Sequence, residues 1–66
     1  MADEQDVQAE RLYTAIKQTV KDFGTMRILQ AASDAKSSVS WDHAEPKTRE
    51  IFRKLATNLT GQAPKA

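Results

Sequence analysis

The single histidine and its acidic neighbours are the residues whose types come nearest to a catalytic or metal-binding set. His43 follows Asp42 and lies two residues before Glu45. An imidazole beside carboxylates can bind a divalent metal or transfer protons. The spacing suits neither role, because adjacent side chains on a turn diverge and no second histidine or cysteine supplies a further strong ligand. We interpret the three as exposed polar residues near a helix start, and His43 as a pH-sensitive contact at most.

Hydroxyl nucleophiles are concentrated between residues 33 and 40, where four serines occur. A catalytic serine needs a base and a group that orients that base, and one histidine without such a group does not meet this requirement. The two glycines, Gly24 and Gly61, are isolated, so no glycine-rich phosphate loop is present. A ligand pocket of roughly 300 Å³ would also compete for the few apolar side chains. The sequence therefore predicts no enzyme, no cofactor and no metal.

Size and composition exclude several further classes. The 66 residues include 10 Lys and Arg against 9 Asp and Glu, for a net charge of +1, and no cysteine. Disulfide frameworks and thiolate metal sites are thereby excluded. No apolar run could cross a bilayer and no signal peptide opens the chain, so a cytoplasmic protein without membrane contact is expected. Such a short chain gains only ~3–5 kcal/mol from its core, so its helices must pack efficiently or self-association must complete the core.

The first element predicted from the pattern is a long amphipathic helix over 3–23. Leu12, Ile16 and Val20 recur every four residues and place one apolar stripe along it. Asp3 is of a type that caps helix starts. The stripe is extended by Ala9, Tyr13 and Phe23. This stripe is expected to face the core.

A second helix is predicted over 25–36, immediately after the first. Gly24 is expected to end the first helix, since glycine adopts positive φ without steric cost, and Thr25 to cap the second. The expected apolar side of this helix consists of Ile28, Leu29, Ala32 and Ala35.

The segment 37–45 is rich in serine and is predicted to be irregular, with one short turn capped by Ser40. Val39 and Trp41 are its large apolar residues. We expect both to pin the segment onto the core, because so small a domain needs all its apolar area. The alternative is that Trp41 is exposed and contacts a partner.

A third helix is predicted over 46–60, followed by a disordered tail over 62–66. Pro46 suits the first helical position, where its missing N–H is not needed, and Gly61 is expected to end the helix. Its apolar stripe consists of Ile51, Phe52, Leu55 and Leu59. Three amphipathic helices with short links predict an all-α fold in one domain over 1–61, either a small three-helix bundle or an angular three-helix domain.

Charge is distributed unevenly along the chain. Residues 1–24 carry a net −2, residues 25–45 a net −1 and residues 46–66 a net +4. The bases of the third helix are expected to project together opposite its apolar stripe; they are Lys47, Arg49, Arg53 and Lys54. Such a face could bind phosphate or an acidic protein surface, or it could simply be solvated.

The run from Pro46 to Ile51, with Leu55 and Leu59 after it, resembles the third headpiece helix of lactose-repressor-type DNA-binding domains over about a dozen positions. In that family this helix supports the fold and an earlier helix reads the DNA groove. Here the stretch before Pro46 is too short and serine-rich for that reading helix, and the turn lacks glycine. The chain is therefore not assigned to the family.

Two functions remain open from the sequence. The first is a small non-enzymatic regulatory or adaptor module that binds a protein partner through its helix faces and the Ser/Trp loop, with a homodimer as one form. The second is a helix-turn-helix-like DNA-binding regulator that uses the basic third helix, with Arg27 and Lys36 adding phosphate contacts.

Overall fold

The computed structural model describes residues 3–62, which form three α-helices and one 3-10 turn. The helices are α1 (Glu4–Phe23), α2 (Thr25–Ser37) and α3 (Pro46–Thr60), and the 3-10 turn is Trp41–His43. No strand occurs within 3–62. The predicted all-α three-helix class is confirmed. The tail predicted over 62–66 lies outside the described residues except for Gln62.

Local signals account for the ends of α1 and its junction with α2. The Asp3 carboxylate accepts the Gln5 N–H at 3.3 Å, and the Gly24 N–H donates to the Val20 carbonyl at 2.7 Å. Gly24 has φ 92° and ψ 155°, a conformation reserved almost wholly for glycine. The prediction that Thr25 caps α2 is wrong. Because Gly24 alone separates the helices, Thr25 is already helical and no side chain caps α2.

Helix α3 lies at the centre, with α1 running antiparallel along one side of it. At one end the Lys47 ammonium lies 5.3 Å from the centre of the Phe23 ring. At the other end the Gln62 amide donates to the Arg11 carbonyl. Helix α2 packs on another side of α3 and meets α1 least of all. The three helices thus form one small domain in which every pair is in contact and α3 makes most of the packing.

The interior is made mainly of small side chains. The buried residues are Ala15, Thr19, Ala31, Ala44, Thr48 and Ile51. Ile51 is the one large apolar side chain that is buried within residues 3–62. Alanine and threonine at helix contacts bring the helix axes close together, but they remove little apolar area from water.

The buried side of α1 differs from the prediction. Leu12 and Ile16 are exposed and Val20 is half-buried, whereas Ala15 and Thr19 are buried. The buried side is rotated by about 80° from the predicted stripe, at 100° per residue. The reason is tertiary: α3 packs on the side of α1 that carries Thr19, whose hydroxyl accepts a hydrogen bond from the Asn58 amide.

Helix α2 is rotated in the same way. Of its predicted apolar side, Leu29 is 59% exposed, and the buried residue is Ala31. The half-buried Asp34 lies on the Ala31 side, and its carboxylate accepts the Glu45 N–H at 2.9 Å. That bond fixes the side of α2 that faces α3, about 90° from the predicted one.

The expectation that Val39 and Trp41 pin the serine-rich segment onto the core is wrong. Val39 is 89% exposed and Trp41 51% exposed. The residue that anchors the segment is Ala44, which is buried where the chain enters α3.

Candidate interaction surfaces

An apolar groove lies where the end of α2, the 3-10 turn and the first half of α3 meet. It encloses about 310 Å³ and is lined by Ala35, Ser38, Val39, Ser40, Trp41, Ala44, Thr48 and Phe52. We call it the Trp41 groove. Three parts of the chain contribute to it, and its lining is mostly apolar with two serine hydroxyls at the edge.

The turn that carries Trp41 is held by a local network of hydrogen bonds. The His43 N–H donates to the Ser40 carbonyl and the Ala44 N–H to the Trp41 carbonyl, each at 3.1 Å. The Ser40 hydroxyl lies 2.8 Å from His43 Nδ1. Ser40 therefore contacts the histidine side chain and makes no side-chain capping bond. These contacts hold the indole at the mouth of the groove.

The structure does not bring the three residues around His43 together as a metal or acid–base site. The His43 ring contacts the Ser40 hydroxyl, and the Glu45 N–H donates to the Asp34 carboxylate. Among the described residues, no group of three or more His, Asp or Glu side chains is placed to hold a metal ion.

The basic residues of α3 fall into two pairs rather than one face. Lys47 and Lys54 are seven residues apart and lie toward α1, whereas Arg49 and Arg53 are four apart and lie about 130° away around the helix. The Lys47 ammonium is 3.5 Å from the Glu50 carboxylate. Arg49 Nε is buried without a hydrogen-bond partner. Lys47, Arg53 and Lys54 are exposed as expected, whereas Arg49 is half-buried, so the four bases do not form one solvent-facing set.

The bases of α2 do not extend either pair into a single patch. Arg27 and Lys36 are both exposed. They are nine residues apart, which places them on opposite sides of α2.

A polar cleft lies between α1 and α3. It encloses about 470 Å³ and is lined by Gln18, Lys21, Asp22, Lys54, Thr57, Asn58, Gly61 and Gln62. The Asn58 amide donates to the Thr19 hydroxyl at 3.0 Å, and that hydroxyl donates to the Ala15 carbonyl at 2.7 Å. Thr19 and Asn58 therefore stabilise the packing of α1 on α3.

A second exposed apolar surface lies on α1. We call Leu12, Tyr13 and Ile16 the α1 face; all three are exposed. Leu12 borders α3, where it lines a shallow space together with Leu59. The Lys17 ammonium lies 5.6 Å from the centre of the Tyr13 ring. Sequence reasoning assigned this surface to the core, because helical period alone does not reveal which stripe a neighbouring helix covers.

No family model, curated protein or solved structure matches this chain. Within residues 3–62, no helix combines the length and apolar character needed to cross a bilayer. The features of the described residues that bear on function are the Trp41 groove, the α1 face and the basic pairs of α3.

Proposed function

We propose that this chain is a small non-enzymatic interaction module that binds a protein partner at the Trp41 groove. The observation that carries the proposal is the ordered turn that leaves Trp41 half exposed and Val39 almost fully exposed beside an apolar groove. In a domain this small, burying both side chains would add to stability. Large aromatic side chains placed next to a pocket are typical of residues that dominate binding energy.

The groove indicates the kind of partner. A volume of about 310 Å³ accommodates one or two large apolar side chains. The Ser38 and Ser40 hydroxyls that line it contact the Ala35 carbonyl and His43 Nδ1, and each oxygen can still accept a hydrogen bond from a partner N–H. A peptide segment with an apolar anchor, helical or extended, has both features.

The test is selection of peptides from a displayed library on the wild-type protein alone. Calorimetry then compares the binding of the selected peptides to wild type and to Trp41→Ala. Trp41→Ala is expected to bind the selected peptides roughly thirtyfold more weakly than wild type. This corresponds to a loss of about 2 kcal/mol of binding free energy, the usual threshold for a dominant interface residue. Leu29→Ala is the matched control, since Leu29 is equally exposed but lies outside the groove. Equal binding to wild type and Trp41→Ala would contradict the proposal.

The alternative function, DNA binding through α3, is separated by titration with random duplex DNA at low and moderate salt. Phosphate contacts predict binding that weakens steeply with salt. Binding that is lost in Arg49→Ala/Arg53→Ala and retained in Trp41→Ala would replace the proposal with the DNA-binding function. The division of the basic residues into two pairs lends that alternative less support than one continuous face would.

A further inference from the structure

The α1 face is an apolar surface left uncovered by the other two helices. Leu12 is 43% exposed, Tyr13 64% and Ile16 39%. Helix α3 covers the Ala15 side of α1, and α2 turns away after Gly24. Three large apolar side chains on one helix, in a chain with so few buried ones, indicate that something else covers them.

The charges beside the α1 face have an order that identifies the occupant. Asp6, Glu10, Tyr13, Lys17 and Lys21 follow at intervals of four, three, four and four residues, so they form one stripe along α1. The acids precede Tyr13 and the lysines follow it. The stripe is therefore acidic toward the start of α1 and basic toward its end.

Such a stripe is complementary to itself only when reversed. In an antiparallel pair of α1 helices, position 6 of one copy lies opposite position 21 of the other, and position 10 opposite position 17. Both pairs are centred on the same point of α1, beside Tyr13. An acidic residue then lies opposite a lysine at both positions. The two-fold axis generates a second copy of each contact. A parallel pair would place like charges together.

We propose that a second copy of this chain packs antiparallel on the α1 face, with its two-fold axis beside Tyr13. The two Tyr13 rings meet near the axis, where aromatic pairs contact favourably. Asp6 of each copy pairs with Lys21 of the other. Because one face of one helix carries the contact, association is expected to be reversible, with a Kd on the order of 10 µM. The proposal does not depend on the Trp41 groove, which lies on other elements.

The first test is sedimentation equilibrium from about 1 µM to 1 mM, a range that brackets this Kd. Wild type is expected to change from monomer to dimer, and Tyr13→Glu to remain a monomer. Val7→Glu is the matched control: Val7 is an exposed apolar residue of the same helix but lies about 120° from Tyr13 around it. Because Tyr13 is mostly exposed, its substitution leaves the fold intact, and circular dichroism checks this.

The second test exchanges charges to fix the orientation. Asp6→Lys is expected to weaken the dimer roughly tenfold, since it replaces two attractive pairs with two repulsive ones. Asp6→Lys/Lys21→Asp is expected to restore it, although it still carries the substitution in the first turn of α1. Asp42→Lys changes the net charge equally on a different element and is expected to leave the dimer unchanged.

A wild type that stays monomeric throughout the range would overturn the proposal. So would a Tyr13→Glu dimer, equal loss in Val7→Glu, or failure of the double exchange to restore association. Trp41→Ala is expected to dimerise like wild type, so failure of the dimer and failure of the groove as a peptide site are distinguishable.

Discussion

At the scale of single residues, Thr19 joins α1 to α3 by more than apolar contact. It is 1% exposed, and its hydroxyl both donates to the Ala15 carbonyl and accepts from the Asn58 amide. Thr19 and Asn58 are 39 positions apart in the sequence. This pairing belongs to the tertiary structure and leaves no trace in a helical pattern, which is why the sequence did not predict it.

Thr19→Val is expected to lower the free energy of unfolding by about 1–2 kcal/mol. The side chain keeps its shape, but the partly buried Asn58 amide loses its acceptor. Urea unfolding followed by circular dichroism measures the change. Thr57→Val is the control, because the exposed Thr57 hydroxyl bonds only within its own helix, and it is expected to stay within about 0.5 kcal/mol of wild type.

Replacing both partners separates the hydrogen bond from packing. Thr19→Val/Asn58→Leu is expected to recover most of the lost stability, because no polar group is left without a partner. A double variant no more stable than Thr19→Val would show that packing, and not the unsatisfied amide, accounts for the loss.

Other features at this scale were predictable because they are local. Asp3 as a cap, Pro46 at the first position of α3 and Gly24 at the end of α1 each depend on a few neighbouring residues. The bond from the Glu45 N–H to Asp34 spans 11 positions and was not predictable. It satisfies the N–H that a glutamate within α3 would satisfy in a capping box.

At the scale of elements, Gly24 sets the angle between α1 and α2. Its φ of 92° is the one positive value among the described residues. A Cβ at this position would meet no atom within 4 Å. Any penalty for a side chain here is therefore a backbone penalty.

Gly24→Ala is expected to lower the free energy of unfolding by about 1–3 kcal/mol, the cost of holding an L-residue in this region. D-alanine at the same position, introduced by chemical synthesis, is expected to cost much less because its allowed region is mirrored. Thermal unfolding of both proteins measures the difference. Equal loss with both alanines would place the cause outside the backbone conformation.

The existence and approximate extent of the three helices followed from periodicity and end signals, but their orientation about their own axes did not. A rule that buries the largest side chains favours Leu12 and Ile16, whereas α3 packs on Ala15 and Thr19. Close approach of backbones and specific polar pairs outweighed apolar area here. For Trp41 the sequence left two interpretations open, a core anchor or an exposed contact residue. The structure leaves Trp41 half exposed, at the centre of the candidate site.

At the scale of the whole molecule, sparse burial makes stability sensitive to association. If the α1 face is covered in a dimer, dimerisation increases the stability of the folded state by mass action. A hundredfold rise in concentration around a Kd on the order of 10 µM is expected to raise the Tm by about 4–8 °C. Differential scanning calorimetry measures this. Tyr13→Glu is expected to show no such dependence, and a constant wild-type Tm would contradict the expectation.

The antiparallel packing of α1 on α3 also bears on how the chain folds as it is made. Thr19 cannot meet Asn58 until the next 39 residues, ending with Asn58 itself, have been translated. At synthesis rates of about 5–20 residues per second, that interval lasts about 2–8 s. Throughout it, α1 is on the ribosome without the helix that covers Ala15. The native packing of α1 therefore forms only after α3 has been made, and a released chain that ends before α3 is expected to be cleaved rapidly within α1 by protease.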